Sequence, residues 1–131
     1  MRLALLLALV PAALSSATLD LPMIRPFPLF KLRLTWEGEA SYYHQRFAGL
    51  PMKNGDPYHP EKATGAANDI PQGTMARVCR EDRPWRCTTV EITDTGDLKG
   101  RLIDLSHSAA RKLGMIDQGV VVVRVCRVEA L

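Results

Sequence analysis

Alternating apolar and polar residues mark three short stretches of the chain, and each stretch predicts a β-strand. The stretches cover residues 74–79, 87–93 and 119–128. In the second stretch Val90, Ile92 and Asp94 share one parity, so Asp94 follows the apolar side of its strand. The short loop between the first two stretches predicts a β-hairpin.

One amphipathic helix is predicted after residue 106. Ser106 can accept a hydrogen bond from the free N–H groups of a first turn, and Gly114 can end the helix. Ala109, Ala110 and Leu113 supply its apolar face. Several short strands with a single helix predict a small barrel rather than a parallel sheet.

The first residues are typical of a secretory signal. Arg2 precedes an apolar run over 3–14, and small residues at 15–17 offer a cleavage site. The run is interrupted by Pro11 and is short for a membrane-spanning helix of about 20 residues. The chain then divides into a signal peptide (1–17), a proline-containing leader (18–35) and a folded domain (36–131). We expect export to the periplasm or the exterior, with no stable membrane anchor after cleavage.

The charge balance narrows the classes of partner. The chain carries 17 Lys and Arg against 14 Asp and Glu, a net charge of +3. This excess is small for a nucleic-acid binder, which concentrates basic residues on one face. No short cysteine spacing with nearby histidines is present, so we expect neither a metal site nor a cofactor. The length suits a single domain, and we expect a monomer.

Three cysteines, Cys79, Cys87 and Cys126, predict one disulfide in an exported protein. Cys79 and Cys87 fall on matching outward faces of the predicted hairpin, which favours a cross-strand bond between them. Cys126 also has outward parity, beside Arg124, and competes for the same partner. Sequence does not fix the connectivity, so both pairings stay open here.

Four blocks of residues, taken in order, resemble the rare lipoprotein A family. The blocks are 38–43, 47–49 with 54–58, 64–67 with 70–74, and 99–115, which begins K-G-R-L-I-D-L-S. A single block carries little weight, because Asn-Gly is a common turn and an Ala-rich helix a common helix. The resemblance implies a mainly β fold, a six-stranded double-psi β-barrel with one or two short helices, and peptidoglycan glycan strands as the substrate.

The resemblance also implies a catalytic role for Asp94, within residues 90–96. A lytic transglycosylase cuts the bond between N-acetylmuramic acid and N-acetylglucosamine without water. One acid can protonate the leaving oxygen and then accept the proton of the attacking 6-hydroxyl, whereas hydrolases generally use two carboxylates. From spacing alone, Asp94 would instead open a turn by accepting hydrogen bonds from Thr95 and Gly96.

Other residues are candidates for contact with the substrate near Asp94. Tyr42 and Tyr43 match the family's aromatic pair and can pack on a sugar ring, although alternation places one of them in the core. The family's histidine is replaced by Ala67, and Asn68 and Asp69 are the nearest polar candidates for substrate contact. This replacement leaves an alternative open, a non-catalytic, expansin-like module that binds cell-wall glycan.

Two more residues are singled out by their surroundings. Asp104 lies in an apolar segment before the helix, so we expect it to be nearly buried and to bond backbone N–H groups or Arg101 in a structural role. Trp85, between arginines at the predicted hairpin tip, can contact an acidic polymer, although such tips are more often only solvated.

Overall fold

The computed structural model describes residues 34–128. The predicted signal peptide and nearly all of the predicted leader lie outside the described residues. The strands are β1 (Thr35–Tyr42), β2 (Thr64–Ala66), β3 (Met75–Arg80), β4 (Cys87–Asp94), β5 (Ile103–Leu105) and β6 (Val121–Arg127). A 3₁₀ turn covers Gln45–Phe47, and helix α1 covers His107–Leu113. Within residues 34–128, no helix combines the length and apolar character that a membrane span needs.

The strands close into a barrel in the order β1-β5-β2-β4-β3-β6. The pairs β1–β5 and β2–β4 are parallel, and the other neighbours are antiparallel. The three strands expected from alternation are confirmed, with ends that differ by one or two residues. The last strand starts at Val121 rather than at Gly119, because Gly119 has a positive φ of 80° and belongs to the preceding turn.

The barrel interior is apolar. Every second residue of the longer strands points inward, as the period of a pleated strand requires. The fully buried interior side chains include Val78, Val90, Ile92, Ile103, Leu105, Val123 and Val125. Helix α1 packs against β1 and β4 and buries its own apolar face, Ala109, Ala110 and Leu113. Each large buried side chain contributes about 1.5–3 kcal/mol of hydrophobic stabilisation.

Both predicted ends of α1 are confirmed. The Ser106 side chain accepts a hydrogen bond from the Ala109 N–H, and Gly114 has the left-handed conformation with φ of 68°. The Arg80 guanidinium, 2% exposed, donates to the carbonyl oxygens of Leu113 and Gly114 at 3.2 and 2.9 Å. The hairpin that follows β3 is therefore joined to the carboxyl end of the helix.

The hairpin between β3 and β4 carries the predicted disulfide. Cys79 and Cys87 face each other across the two strands with Cα atoms 4.1 Å apart, and their sulfur atoms are bonded. The pairing favoured from outward parity is confirmed, and the competing Cys126 is a half-buried free thiol. The bond links the first residue of β4 to the strand before it.

Candidate functional site

A groove of about 460 Å³ opens beside the carboxyl end of β4. Tyr42, Tyr43 and Phe47 contribute aromatic surface to it. Its charged lining residues are Arg46, Asp94, Asp97, Lys99, Arg101 and Asp104. Three acids and three bases thus face one open space. Among the described residues, no group of three or more His, Cys, Asp and Glu side chains forms a candidate metal site.

Asp94 reaches the groove because the alternation of β4 breaks at its end. Thr93 is buried, although parity places it outward, and its hydroxyl contacts the Met52 sulfur at 3.3 Å. The parallel pairing with β2 shifts register at this point, so that Gly65 lies opposite Ile92 and Ala66 opposite Asp94. Asp94 is consequently half-buried in the groove wall rather than enclosed in the barrel.

The Asp94 carboxylate accepts hydrogen bonds from three segments of the chain. The Lys53 N–H and the Thr95 N–H donate to Oδ1 over 2.8 and 2.9 Å. The Tyr43 hydroxyl donates to Oδ2 over 2.5 Å. The turn bond to Thr95 is the one that spacing alone predicts, while the Gly96 N–H bonds Asn68 instead. Both carboxylate oxygens are therefore fixed in orientation at the groove.

Tyr43 is held in place by a second tyrosine. Its ring stacks on Tyr58 with centroids 4.4 Å apart, and the Tyr58 hydroxyl accepts a hydrogen bond from the His107 N–H over 3.1 Å. Burial raises the pKa of Tyr43 above its ordinary value, and the hydrogen bond to Asp94 raises it further. Tyr43 is thus a protonated donor at neutral pH. Sequence reasoning missed Tyr58, although it closes the second family block.

Of the pair Tyr42 and Tyr43, Tyr42 is the residue that packs against the core. Its hydroxyl donates to the Ile116 carbonyl over 2.8 Å, and its ring meets His107 edge to face at 5.9 Å. Part of the ring still lines the groove. Tyr42 and Tyr43 therefore differ as alternation predicts, with one directed to the core and the other to the carboxylate.

Asn68 and Asp69, predicted to contact substrate, are not among the residues that line the groove. The Asn68 amide donates to the Gly96 carbonyl over 2.8 Å and accepts from the Gly96 N–H over 3.2 Å. These two hydrogen bonds fix the turn after Asp94. Asn68 thereby positions the loop, and Asp69 is exposed to solvent.

Asp104 is a second groove carboxylate rather than a nearly buried one. Its side chain is 22% exposed, because β5 is short and its middle residue faces the groove. The Ser41 hydroxyl donates to it, and the Arg101 Nε lies 3.9 Å away. Arg101 is the partner that the sequence predicts, and it also donates to Ser41 over 2.8 Å. The sequence did not reveal that Asp104 shares a groove with Asp94.

The family's histidine position is occupied by a buried alanine. Ala67 belongs to the core, and its N–H donates to the Asp94 carbonyl over 3.0 Å. An imidazole does reach the groove from elsewhere, because His44 lines its rim and accepts the Arg46 N–H over 3.0 Å. His59 is not among the lining residues. His44 is therefore the histidine that neighbours the carboxylates.

The closed barrel with its polar groove places the chain in the class of double-psi β-barrel proteins. A family model described as lytic transglycolase matches residues 35–125, and the chain belongs to this family. It is 44% identical over 97 residues to a probable endolytic peptidoglycan transglycosylase of Nostoc, covering 72% of this chain and 26% of that protein. It is 40% identical over 90 residues to the endolytic peptidoglycan transglycosylase of Haemophilus influenzae, covering 68% and 31%. The chain thus spans about a quarter to a third of these relatives.

Solved structures share the barrel at lower sequence identity. An expansin of Clavibacter michiganensis superposes with a TM-score of 0.58 at 19% identity, covering 75% of this chain and 52% of that one. A papain inhibitor of Streptomyces superposes with a TM-score of 0.55 at 24% identity, covering 72% and 94%. At these identities the likeness shows the fold, and function depends on the groove itself.

Proposed function

We propose that this barrel is a lytic transglycosylase that cleaves the N-acetylmuramic acid–N-acetylglucosamine bond of peptidoglycan, with Asp94 as its acid and base. The observation that carries the proposal is the Asp94 carboxylate, fixed by three donors in the wall of an open groove. The relatives are endolytic peptidoglycan transglycosylases by name, which supports the substrate class. Tyr42 and Tyr43 provide aromatic surface for the sugar rings.

The hydrogen bonds of Asp94 suit an acid that loses and regains one proton. Backbone N–H groups can only donate, so Oδ1 remains an acceptor throughout. The Tyr43 hydroxyl can both donate and accept, so a proton is accommodated on Oδ2 when that hydroxyl turns. Asp94 gives this proton to the glycosidic oxygen as the C1–O bond breaks. The 6-hydroxyl oxygen then bonds C1 and returns its proton to Asp94, which restores the starting state.

Asp104 is suited to stabilise positive charge during the same step. Cleavage of a glycosidic bond develops oxocarbenium character at the anomeric carbon. A second carboxylate in the groove, oriented by Ser41 and Arg101, lowers the free energy of that charge without needing to move. The two aspartates therefore take different parts, with Asp94 exchanging the proton and Asp104 supplying negative charge.

The test is product analysis with a matched pair of variants. The purified protein is incubated with peptidoglycan strands that lack stem peptides, and the products are measured by mass spectrometry. We expect 1,6-anhydro-muramyl ends, and Asp94→Asn should lower their rate of formation on the order of a thousandfold. Asp97→Asn is the control, because Asp97 lines the same groove but is exposed, and among the described residues its carboxylate contacts only Lys99, through a 3.2 Å hydrogen bond from the N–H and a loose 3.8 Å ion pair. Equal rates for the two variants would contradict the assignment.

A second candidate function is a wall-binding module that does not cleave. The observation in its favour is Ala67, whose buried position leaves no imidazole where the family has one. This candidate predicts that the protein is retained on purified peptidoglycan while no anhydro ends form. It also predicts that Asp94→Asn is retained as well as the unchanged protein. Product formation that depends on Asp94 would exclude it.

We further propose that the protein acts outside the cytoplasm, as a monomer associated with the cell wall. The proposal is supported by the signal-like residues 1–17 and by the activity named for the relatives. Cell fractionation tests the location, with most of the mature protein expected in the periplasm or medium. Recovery in the cytoplasm at full length would contradict it. Sedimentation of the purified protein tests the monomer.

A further inference from the structure

The hairpin tip opposite the groove presents an exposed tryptophan. Trp85 is 75% exposed, whereas the other tryptophan of the chain, Trp36, is 4% exposed. Trp85 precedes Cys87 at the start of β4, and Asp94 ends that strand. Seven residue steps along a strand span about 23 Å. The exposed indole therefore lies well away from the Asp94 carboxylate, and the proposed reaction leaves it without a role.

The loop that carries Trp85 is restrained at several points. The Cys79–Cys87 disulfide closes its base, and the Arg80 N–H donates to the Arg86 carbonyl over 3.0 Å. Inside the loop, the Arg86 N–H donates to the Arg83 carbonyl over 2.8 Å. The Arg80 guanidinium bonds both carboxylate oxygens of Asp82 at 2.9 Å while it holds the end of α1. An aromatic ring on so fixed a loop loses little entropy on binding a ligand.

Two arginines lie beside Trp85 in the sequence, Arg83 and Arg86. Within residues 34–128, neither Arg83 nor Arg86 forms a salt bridge, whereas Arg80 bonds Asp82, and Arg124 lies near Glu37 and Glu81. Arg83 also lines a shallow pocket of about 330 Å³ beside the hairpin. The Arg86 guanidinium lies against Gly114 at the end of α1, which leaves Arg83 as the arginine available at the tip. An exposed indole in the same loop as an exposed arginine matches a polymer of sugar rings that carries carboxylates.

We infer that the Trp85 tip is a second, non-catalytic binding site for the same wall polymer, in which the indole stacks on a sugar ring and Arg83 bonds muramyl carboxylates. The inference rests on the proposed function for the identity of the polymer. The Trp85 site retains the protein on the glycan strand. It lies too far from Asp94 to contact the bond that breaks.

The test measures binding separately from cleavage. In an Asp94→Asn background, Trp85→Ala should weaken binding to peptidoglycan strands stripped of protein and of stem peptides about tenfold, as loss of an aromatic anchor does. Trp85→Phe should retain most of the affinity, because a stacking face remains. Met75→Ala is the control, since Met75 is also exposed and apolar but begins β3, at the end of that strand away from the hairpin. With Asp94 intact, Trp85→Ala should cleave short soluble glycans at the unchanged rate.

Fluorescence offers a direct reading of the indole. Because Trp36 is buried, a change in emission on titration with soluble glycan fragments reports on Trp85. A shift of the emission to shorter wavelength, lost in Trp85→Phe, supports the site. Trp85→Ala binding as tightly as Met75→Ala would overturn it. A Trp85 effect seen only with walls that keep their proteins would also overturn it, because it would indicate a protein partner. Both measurements report binding and do not require cleavage. Failure of the Trp85 site can therefore be distinguished from failure of the proposed function.

Discussion

The two ends of β4 are held by different means. At its carboxyl end, Asp94 is fixed by hydrogen bonds from separate loops and remains open to the groove. At its amino end, Cys87 is fixed by a disulfide, and the neighbouring Arg80 is buried against the end of α1. In the proposed reaction, hydrogen bonds orient a group that exchanges a proton, whereas covalent and buried contacts hold the barrel and helix together. Changes at the first end should alter chemistry with little loss of stability, and changes at the second should do the reverse.

The largest effect expected in this comparison is on activity at the groove. Asp104→Asn keeps the shape of the side chain but removes the negative charge beside Ser41 and Arg101. We expect the rate of anhydro-product formation to fall several hundredfold, while the thermal midpoint moves by only a few degrees. A larger loss of rate in Asp104→Asn than in Asp94→Asn would contradict this assignment and would indicate that Asp104 exchanges the proton.

The next effect is on stability at the hairpin end. Arg80→Met removes a buried guanidinium and leaves the Leu113 and Gly114 carbonyls without their partner. We expect the free energy of unfolding to fall by about 3 kcal/mol, measured by urea denaturation. Arg77→Met, an exposed position on the same strand, is the control and should change little. Activity per folded molecule should be unchanged. A loss of activity without a loss of stability would contradict a purely structural role for the hairpin end of β4.

The frame of the molecule was largely predictable from the chain. Alternation located β3, β4 and β6, and the cap residues Ser106 and Gly114 located α1, because both signals are local. The Cys79–Cys87 pairing followed from the same parity. The six-stranded barrel was implied by resemblance alone, since β2 and β5 are three residues long and carry no clear period.

The groove was less predictable, because its residues come from distant segments. Asp94 was found, but its exposure depends on a register shift between Gly65 and Ala66 that no periodicity shows. Tyr58 was missed because its role depends on stacking against Tyr43. Asp104 was expected to be nearly buried, since its neighbours are apolar, and only the barrel's closure brings it to the same groove as Asp94.

A smaller stability effect is expected from the disulfide. Replacing Cys79 and Cys87 with serine should lower the free energy of unfolding by about 2–3 kcal/mol, because the bond closes only a short loop. Cys126→Ser is the control, since that thiol is free. The comparison predicts that the double variant still cleaves short glycans at the unchanged rate. An effect on cleavage equal to that of Asp104→Asn would show that the two ends are coupled.

The smallest effect concerns the alkaline limit of stability. Burial and the Asp94 carboxylate raise the pKa of Tyr43, so the folded state holds this proton more tightly than the unfolded chain. The resulting stability is present below the ordinary tyrosine pKa of about 10 and is lost as pH rises above it. Tyr43→Phe should flatten this decline, measured by denaturation between about pH 9 and 11. A decline as steep as in the unchanged protein would contradict the contribution of Tyr43.

Asp94→Asn should lower the pKa of Tyr43 only in part. The carboxylate's negative charge is lost, but burial, the larger cause, remains. Ultraviolet titration of the tyrosines follows this change, and the Tyr43→Phe variant identifies the signal that belongs to Tyr43. A pKa of Tyr43 that does not move in Asp94→Asn would contradict the bond between the two side chains.

In the proposed reaction, the Asp94 groove breaks glycan strands without adding water. Digestion of peptidoglycan strands in water enriched in ¹⁸O tests it most directly, with the new ends identified by mass spectrometry. We expect 1,6-anhydro-muramyl ends that contain no ¹⁸O and are absent in Asp94→Asn. New reducing ends that carry ¹⁸O, or anhydro ends that form equally in Asp94→Asn, would contradict it.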